Sequence, residues 1–249
     1  MEPAEALARL RALGLEEEPA RVLFDHFDDA ERRGKQGHGH ARIAWLEGQR
    51  FDPAARPRRV LAEPGFERWD GAGALGYLTL DAVCAAQLAD PPARARLVVA
   101  ERCFPTGVLG YWARRLAAGG LVAVLTATSP RRLPPPGGGP SLTGTNPLAI
   151  AVPDSGGRPV VADVSMGAVT HGDVLAGRAA PQELVPFGAP QAYKAFALAV
   201  GLELLVGALA GPEHGAVLLV ARPDFDPVPA FRELAAGVRL PGDGATSRP

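Results

Sequence analysis

The chain has 249 residues, 47% of them apolar and 21% charged, a globular composition that excludes a disordered one. Its 26 Lys and Arg against 27 Asp and Glu leave a net charge of -1, so neither nucleic acid nor an anionic membrane is expected as main partner. Two cysteines, Cys84 and Cys103, are too few for a disulfide framework, and without a CxxC or Cys/His pairing no metal site is expected.

Residues 4–13 and 17–33 read as two helices. In the second, Ala20, Leu23, Phe24, Phe27 and Ala30 recur at helical spacing between acids and arginines. Gly34 to Gly39 breaks the pattern, a short helix follows over Ala41 to Leu46, and a Pro/Arg-rich connector covers 52–66. Asp70, Gly71 and Gly73 mark a turn before a helix over Leu78 to Leu88, capped by Thr79 or Asp81. This helix carries Cys84, whose expected role is that of a small buried hydrophobe.

The chain then alternates. Leu97 to Ala100 reads as a strand, and Gly107 to Ala118 as a helix with Leu109, Trp112 and Leu116 on one face. Leu121 to Leu125 is an apolar strand, and 129–140 form a Pro/Gly loop. Leu148 to Val152 and Val160 to Val164 are strands around a turn at Asp154 to Gly157. Gln191 to Ala210 is the strongest helix, apolar nearly all round and therefore expected to be buried. Val217 to Ala221 reads as a strand, Pro229 to Ala236 as a final helix and 241–249 as a frayed tail. The longest apolar segment, Phe196 to Gly211, is interrupted by Glu203 and shorter than a bilayer span. Met1 to Glu5 carry acids and do not resemble a signal peptide, so a cytoplasmic protein is expected.

No GxGxxG follows the first strand, and GxxxxGK[ST], GxSxG and HExxH are absent from the sequence. Four clusters can carry chemistry. In Gly37-His38-Gly39-His40-Ala41-Arg42, a histidine that titrates near neutrality and an arginine that grips carboxylates project together if Ala41 begins a helix. Spacing alone favours an exposed polar loop. In Thr143-Gly144-Thr145-Asn146-Pro147, amides and the Thr145 hydroxyl can meet phosphate oxygens, or the segment is a plain turn. Asp163 ends an apolar strand and Ser165 follows: a helix N-cap, or a buried acid that orients a histidine. Tyr193-Lys194 opens the apolar helix after Val185 to Gly188. A cation there opposes the helix dipole, so either an anion is near or the lysine reaches solvent along its stem.

Taken in this order, the clusters resemble the malate/L-lactate dehydrogenase family of the second type. That family includes sulfolactate, ureidoglycolate and diketogulonate enzymes and cyclic-imine carboxylate reductases. The resemblance also takes in Trp69-Asp70-Gly71, Gly110-Tyr111-Trp112 and Leu240-Pro241-Gly242. It implies a mixed-sheet, non-Rossmann α/β fold that binds NAD or NADP, as one compact unit over 1–249. The expected parts are an N-terminal helical part (1–50), a cofactor-binding core (67–221) and a C-terminal helix and tail (222–249). It further implies His38 as proton donor, Asp163 as the acid orienting it, and Arg42 as the clamp on a small carboxylate substrate. Gly144, Thr145, Asn146, Pro147, Ser165, Tyr193 and Lys194 match cofactor-binding segments, and a homodimer completes the cleft.

The departures are specific. Gly37 stands where the motif has serine, and Pro105 where the family has a second histidine. Ala195 replaces a glycine, and the stretch from Asp173 to Val185 is short. The reading is a compact NAD(P)H-dependent reductase. The alternative is a catalytically impaired scaffold that keeps the fold and the nucleotide.

Overall fold

The computed structural model describes residues 1–243, and a seven-stranded mixed sheet runs through it. Its strands are β1 (Arg58–Glu63), β2 (Phe66–Asp70), β3 (Ala95–Glu101), β4 (Val122–Ala127), β5 (Leu148–Val152), β6 (Val160–Val164) and β7 (Ala216–Ala221). They lie in the order β1-β2-β3-β7-β4-β5-β6. Only β2 and β3 run parallel; every other neighbouring pair is antiparallel. The last strand in sequence therefore sits at the centre of the sheet. This order has no doubly wound half-sheet, in keeping with the absence of a dinucleotide fingerprint.

One face of the sheet carries α4 (Gly76–Ala89) and α5 (Leu109–Ala118), with α1 (Pro3–Ala12), α2 (Glu17–Arg32) and α3 (Ala41–Glu47) packed outside them. Leu109, Trp112 and Leu116 of α5 are fully buried, as their spacing requires, and each contributes roughly 2–3 kcal/mol of apolar burial. The α2 stripe is equally regular: Ala20, Leu23, Phe27 and Ala30 all face inward. Cys84 and Cys103 are buried and free. The opposite face carries α7 (Ala192–Ala210); the short α6 (His171–Leu175) and α8 (Val228–Leu234) complete the helices among the described residues.

Four expectations are corrected. The connector 52–66 contains strand β1 and the Pro64-Gly65 turn into β2; β1 is an edge strand exposed at every position, so it carries no apolar alternation to read. Thr79 and Asp81 do not cap α4, because the helix begins at Gly76 and both lie inside it. Helix α7 is not buried. Ala195, Ala199, Val206 and Ala210 face the sheet, while Tyr193, Leu198, Leu204 and Leu205 are 59%, 51%, 67% and 45% exposed. At 19 residues, it is also long and apolar enough to cross a membrane by length and composition. Residues 241–243 are tied down: the Pro241 carbonyl accepts from the Val161 N–H at 3.0 Å, and Asp243 pairs with Arg232 at 3.1 Å. The rest of the expected frayed tail lies outside the described residues.

Candidate active site

After α2 ends, the backbone N–H of His38 donates to the Lys35 carbonyl at 2.8 Å, closing a 3-10 turn over Gln36–His38. The Arg42 N–H donates to the Gly39 carbonyl at 2.9 Å and starts α3 one turn later. This tight reversal aims both side chains into one cavity of about 810 Å³. Thr145, Pro147, Asp163 and Ser165 line the same cavity, from the entrance to β5 and the exit from β6. Pro105 lines it too, on the loop leading into α5. His40 is not part of the wall: its ring stacks on Phe24 and lies 3.7 Å from Asp28.

Gly144, Asn146, Tyr193 and Lys194 do not line the cavity. Asn146 is fully buried, and its Nδ2 donates to the Ala199 carbonyl at 3.1 Å and to Glu203 Oε2 at 2.6 Å. The Gly144 N–H also donates toward Glu203. The segment read as a phosphate cradle is thus split. Thr145 and Pro147 face the cavity, while its neighbours fasten the chain to α7. Glu203, the residue that interrupts the apolar helix, is the acceptor they need. Tyr193 and Lys194 are exposed at the start of α7.

Asp163 does not hydrogen-bond His38. Its carboxylate pairs with Lys35, which also lines the cavity. Gly110 makes room for it, since a Cβ there would meet the Asp163 side chain at 2.9 Å. The His38 Nδ1 is buried without a hydrogen-bond partner. Burial, then the Arg42 charge, push the His38 imidazole down to about 4, against a weaker opposing pull from Asp163. Arg42 is 8% exposed, lies with its guanidinium 4.0 Å from the Trp45 ring centroid, and has a buried Nε without a partner.

The missing motif serine has a packing cause. A Cβ on Gly37 would lie 2.8 Å from Asp173 Oδ1 and 2.9 Å from the backbone of Asp173 and Gly172. The start of α6 is docked directly on the 3-10 turn. Its own first turn is closed by a reciprocal cap in which Thr170 Oγ1 accepts from the Asp173 N–H at 3.1 Å and Asp173 Oδ2 accepts from the Thr170 N–H at 3.1 Å. Gly37→Ser is therefore expected to destabilise the protein by about 1–3 kcal/mol and displace α6. Thermal unfolding checks this; a serine variant as stable as the parent would contradict it.

The docked helix brings in a residue that the sequence reading did not single out. His171, at the start of α6, lines the cavity with His38. The signal was present as the Thr170-x-x-Asp173 capping pattern, which fixes a helix start beside a histidine. Lys35 and Arg132 were missed for a different reason: nothing local marks a cation in a glycine turn or a proline loop as cavity-facing.

His38 and the fully buried His26 both have imidazoles held below their ordinary value, His26 by burial first and then by the charge of His38. The unfolded chain then binds protons that the fold refuses. Stability is fully present above roughly pH 6.5 and is lost as the pH falls toward about 4, by on the order of 3 kcal/mol from His38 alone. Melting temperatures measured across that window should fall steeply with acidification, and His38→Gln should flatten part of the slope. A flat profile in the parent would contradict the assigned burial.

A mixed seven-stranded sheet with an anion-ready cleft between a glycine turn and a strand end defines a class distinct from the Rossmann dehydrogenases. Residues 4–184 match the family described as malate/L-lactate dehydrogenase, and the chain belongs to that family. It is 33% identical over 189 residues to a (2R)-3-sulfolactate dehydrogenase (NADP(+)) of Chromohalobacter salexigens, covering 72% of this chain and 55% of that protein. It is 30% identical over 243 residues to a Δ1-pyrroline-2-carboxylate/Δ1-piperideine-2-carboxylate reductase of Pseudomonas putida, covering 80% and 66%. The crystal structure of Δ1-piperideine-2-carboxylate reductase from Pseudomonas syringae pv. tomato superposes with a TM-score of 0.81 at 25% identity, over 98% of this chain and 91% of that one. The chain thus spans between half and two thirds of the length of these two curated relatives.

Proposed function

We propose that the chain is an NAD(P)H-dependent reductase whose substrate is a small 2-oxo acid or cyclic imine carboxylate, the reverse reaction oxidising a 2-hydroxy acid. The observation that carries this is the convergence of His38 and Arg42, with the buried His38 Nδ1 and Arg42 Nε both unpartnered, on one cavity in a chain of this family. The cavity fits a nicotinamide nucleotide in volume and in its mix of apolar wall and unsatisfied donors. Thr145, Pro147 and Ser165 are the residues proposed to hold it. When bound, the cofactor supplies hydride to the carbon beside the substrate carboxylate.

The protein's own part is to place that carbon and handle one proton. Arg42 holds the carboxylate, with its fork kept in plane by Trp45. His38 is neutral in the empty site and acts there as a base. A substrate carboxylate on Arg42 cancels the charge that depresses the imidazole, so its proton affinity rises when substrate is present. His38 then holds the proton delivered to the oxygen or nitrogen. Pro105 offers neither an N–H nor a side-chain donor, so the substrate's remaining polar groups find their partners elsewhere. Titration of NADH and NADPH by reduced-cofactor fluorescence, followed by turnover of 2-oxo acids and cyclic imines, tests the reading. Cofactor binding with no turnover of any such compound would replace it with a nucleotide-binding scaffold.

The proposed assembly is a cytoplasmic homodimer. The outer face of α7, with Leu198, Leu204 and Leu205 open to solvent, is the apolar surface such a contact would cover. Tyr193 and Lys194, outside this chain's cavity, reach a cofactor only if that contact brings them to the partner's cleft. Light scattering should give a dimer in the parent and a monomer in Leu198→Glu/Leu204→Glu. A monomeric parent at all concentrations would contradict the assembly.

A further inference from the structure

The acid at the end of β6 is already engaged. Asp163 is the carboxylate expected to orient His38, yet its partner is the Lys35 ammonium. Both residues line the cavity with His38. The Asp163 side chain is 12% exposed and that of Lys35 40%, so the acid is the fixed, deeper partner and the lysine reaches to it.

Each partner is held by its own element. The Lys35 N–H donates to the Ala30 carbonyl at 2.8 Å at the end of α2, and the Lys35 carbonyl accepts the His38 N–H at 2.8 Å. The lysine is thus part of the turn that carries the histidine. Asp163 lies opposite Ala149 in the β5–β6 ladder, and behind it Gly110 of α5 leaves no space for a methyl group. With the carboxylate committed to Lys35, His38 Nδ1 stays buried without a partner. The charged groups that act on the His38 ring are Arg42 and Lys35, which oppose a proton there, and Asp163 and Asp173, which favour one. His26, buried and held below its ordinary value, is its titratable neighbour. Asp173 is tied to Thr170 and Arg178. Asp163 is therefore the acid whose pairing decides how the ring behaves. An ammonium in contact with it cancels most of its pull and adds repulsion of its own.

We infer that Lys35 is a positioning residue of the site: by holding the Asp163 carboxylate it keeps that acid from serving the His38 ring, and so leaves the ring to the substrate. The inference deepens the reductase reading above and rests on it for its chemistry. A histidine paired permanently with an acid carries its proton whether or not substrate is bound. With Asp163 held by Lys35, the substrate carboxylate on Arg42 is what raises the proton affinity of His38, and the ring is loaded only in the occupied site.

The test follows the His38 ring itself by NMR, in the protein without ligand, its signal identified by its loss in His38→Gln. From about pH 8 down to about pH 5 the parent ring should stay neutral. Lys35→Met should bring it to at least half protonation by the acid end, because one repelling charge is gone and one acid is released. Lys35→Arg should behave as the parent. Lys35→Gln, which keeps a donor to Asp163 without the charge, should lie between, and it serves if the methionine variant does not fold. The double variant Lys35→Met/Asp163→Asn should return the ring to neutrality, which a merely structural lysine would not produce. A ring still neutral at about pH 5 in both Lys35→Met and Lys35→Gln would overturn the inference. So would a double variant as protonated as Lys35→Met, which would leave Asp163 no part in it. Weaker NADH or NADPH binding in Lys35→Met with no change at His38 would also overturn it and assign the lysine to the nucleotide. If turnover is found, the pH profile of kcat/KM should move toward higher pH by about one pH unit in Lys35→Met. Absence of turnover would count against the reductase reading alone, since the ring titration needs no reaction.

Discussion

His38→Ala should lower turnover by about 10²–10⁴-fold while the dissociation constant for NADH or NADPH stays within about twofold of the parent. The loss is the usual contribution of a positioned proton carrier. The cofactor is spared because the segments proposed to hold it, around Thr145, Pro147 and Ser165, are other parts of the cavity lining, at the entrance to β5 and the exit from β6. His171 lines the cavity as well, so it is the internal control for which imidazole carries the proton. His171→Ala should act mainly on KM, through the stretch of cavity wall it forms, and His38→Ala mainly on kcat. Unchanged turnover in His38→Ala with collapse in His171→Ala would assign the proton to the wrong histidine here.

Gly107→Ala should be among the most damaging single methyl additions in the described residues. Gly107 has φ +68°, and an added Cβ would stand 2.1 Å from His26 Nε2 and 2.4 Å from Tyr77 Cε1. Neither neighbour can yield. His26 and Tyr77 are fully buried, packed with Phe27, Tyr111 and Trp112, and His26 Nε2 accepts the Val108 N–H at 3.0 Å. Strain at positive φ and overlap in a packed core add to about 3 kcal/mol or more. For a chain of this length that is a fall in melting temperature of roughly 6–12 °C. Since this loop carries Pro105 into the cavity, KM for substrate should rise in whatever folded fraction remains. Gly65→Ala, with nothing within 4 Å and no positive φ, should change little. Similar melting temperatures for the two variants would contradict the packing described for His26.

How far the sequence discloses this protein depends on what each segment packs against. The α2 stripe and the α5 face were legible because one side of each helix meets a continuous core and the other meets water. Strand β1 was not, because an exposed edge imposes no alternation, and its arginines and prolines resemble a connector. Helix α7 misled in the opposite sense. Apolar residues all round indicate that every side meets something apolar, and within one chain only the Ala195, Ala199, Val206 and Ala210 side does. That His38 and Arg42 face one cavity was legible because a short glycine-flanked motif fixes both residues through local backbone geometry. That Asn146 does not line the cavity was not legible, because its partner, Glu203, lies 57 residues away on another element. Asp163 pairs with Lys35 across 128 residues, a contact that no local pattern announces.

The central claim is that the cavity between the His38 turn and the end of β6 transfers hydride to a carbon beside a carboxylate. Its most direct test is single-turnover reaction with NADH or NADPH carrying two deuterium atoms at the nicotinamide C4, against 2-oxo acids and cyclic imine carboxylates, with the product analysed by mass spectrometry. The account predicts a product carrying one deuterium at the carbon beside its carboxylate, formed by the parent and not by His38→Ala. Reduced cofactor that binds but transfers no deuterium to any such compound would contradict it.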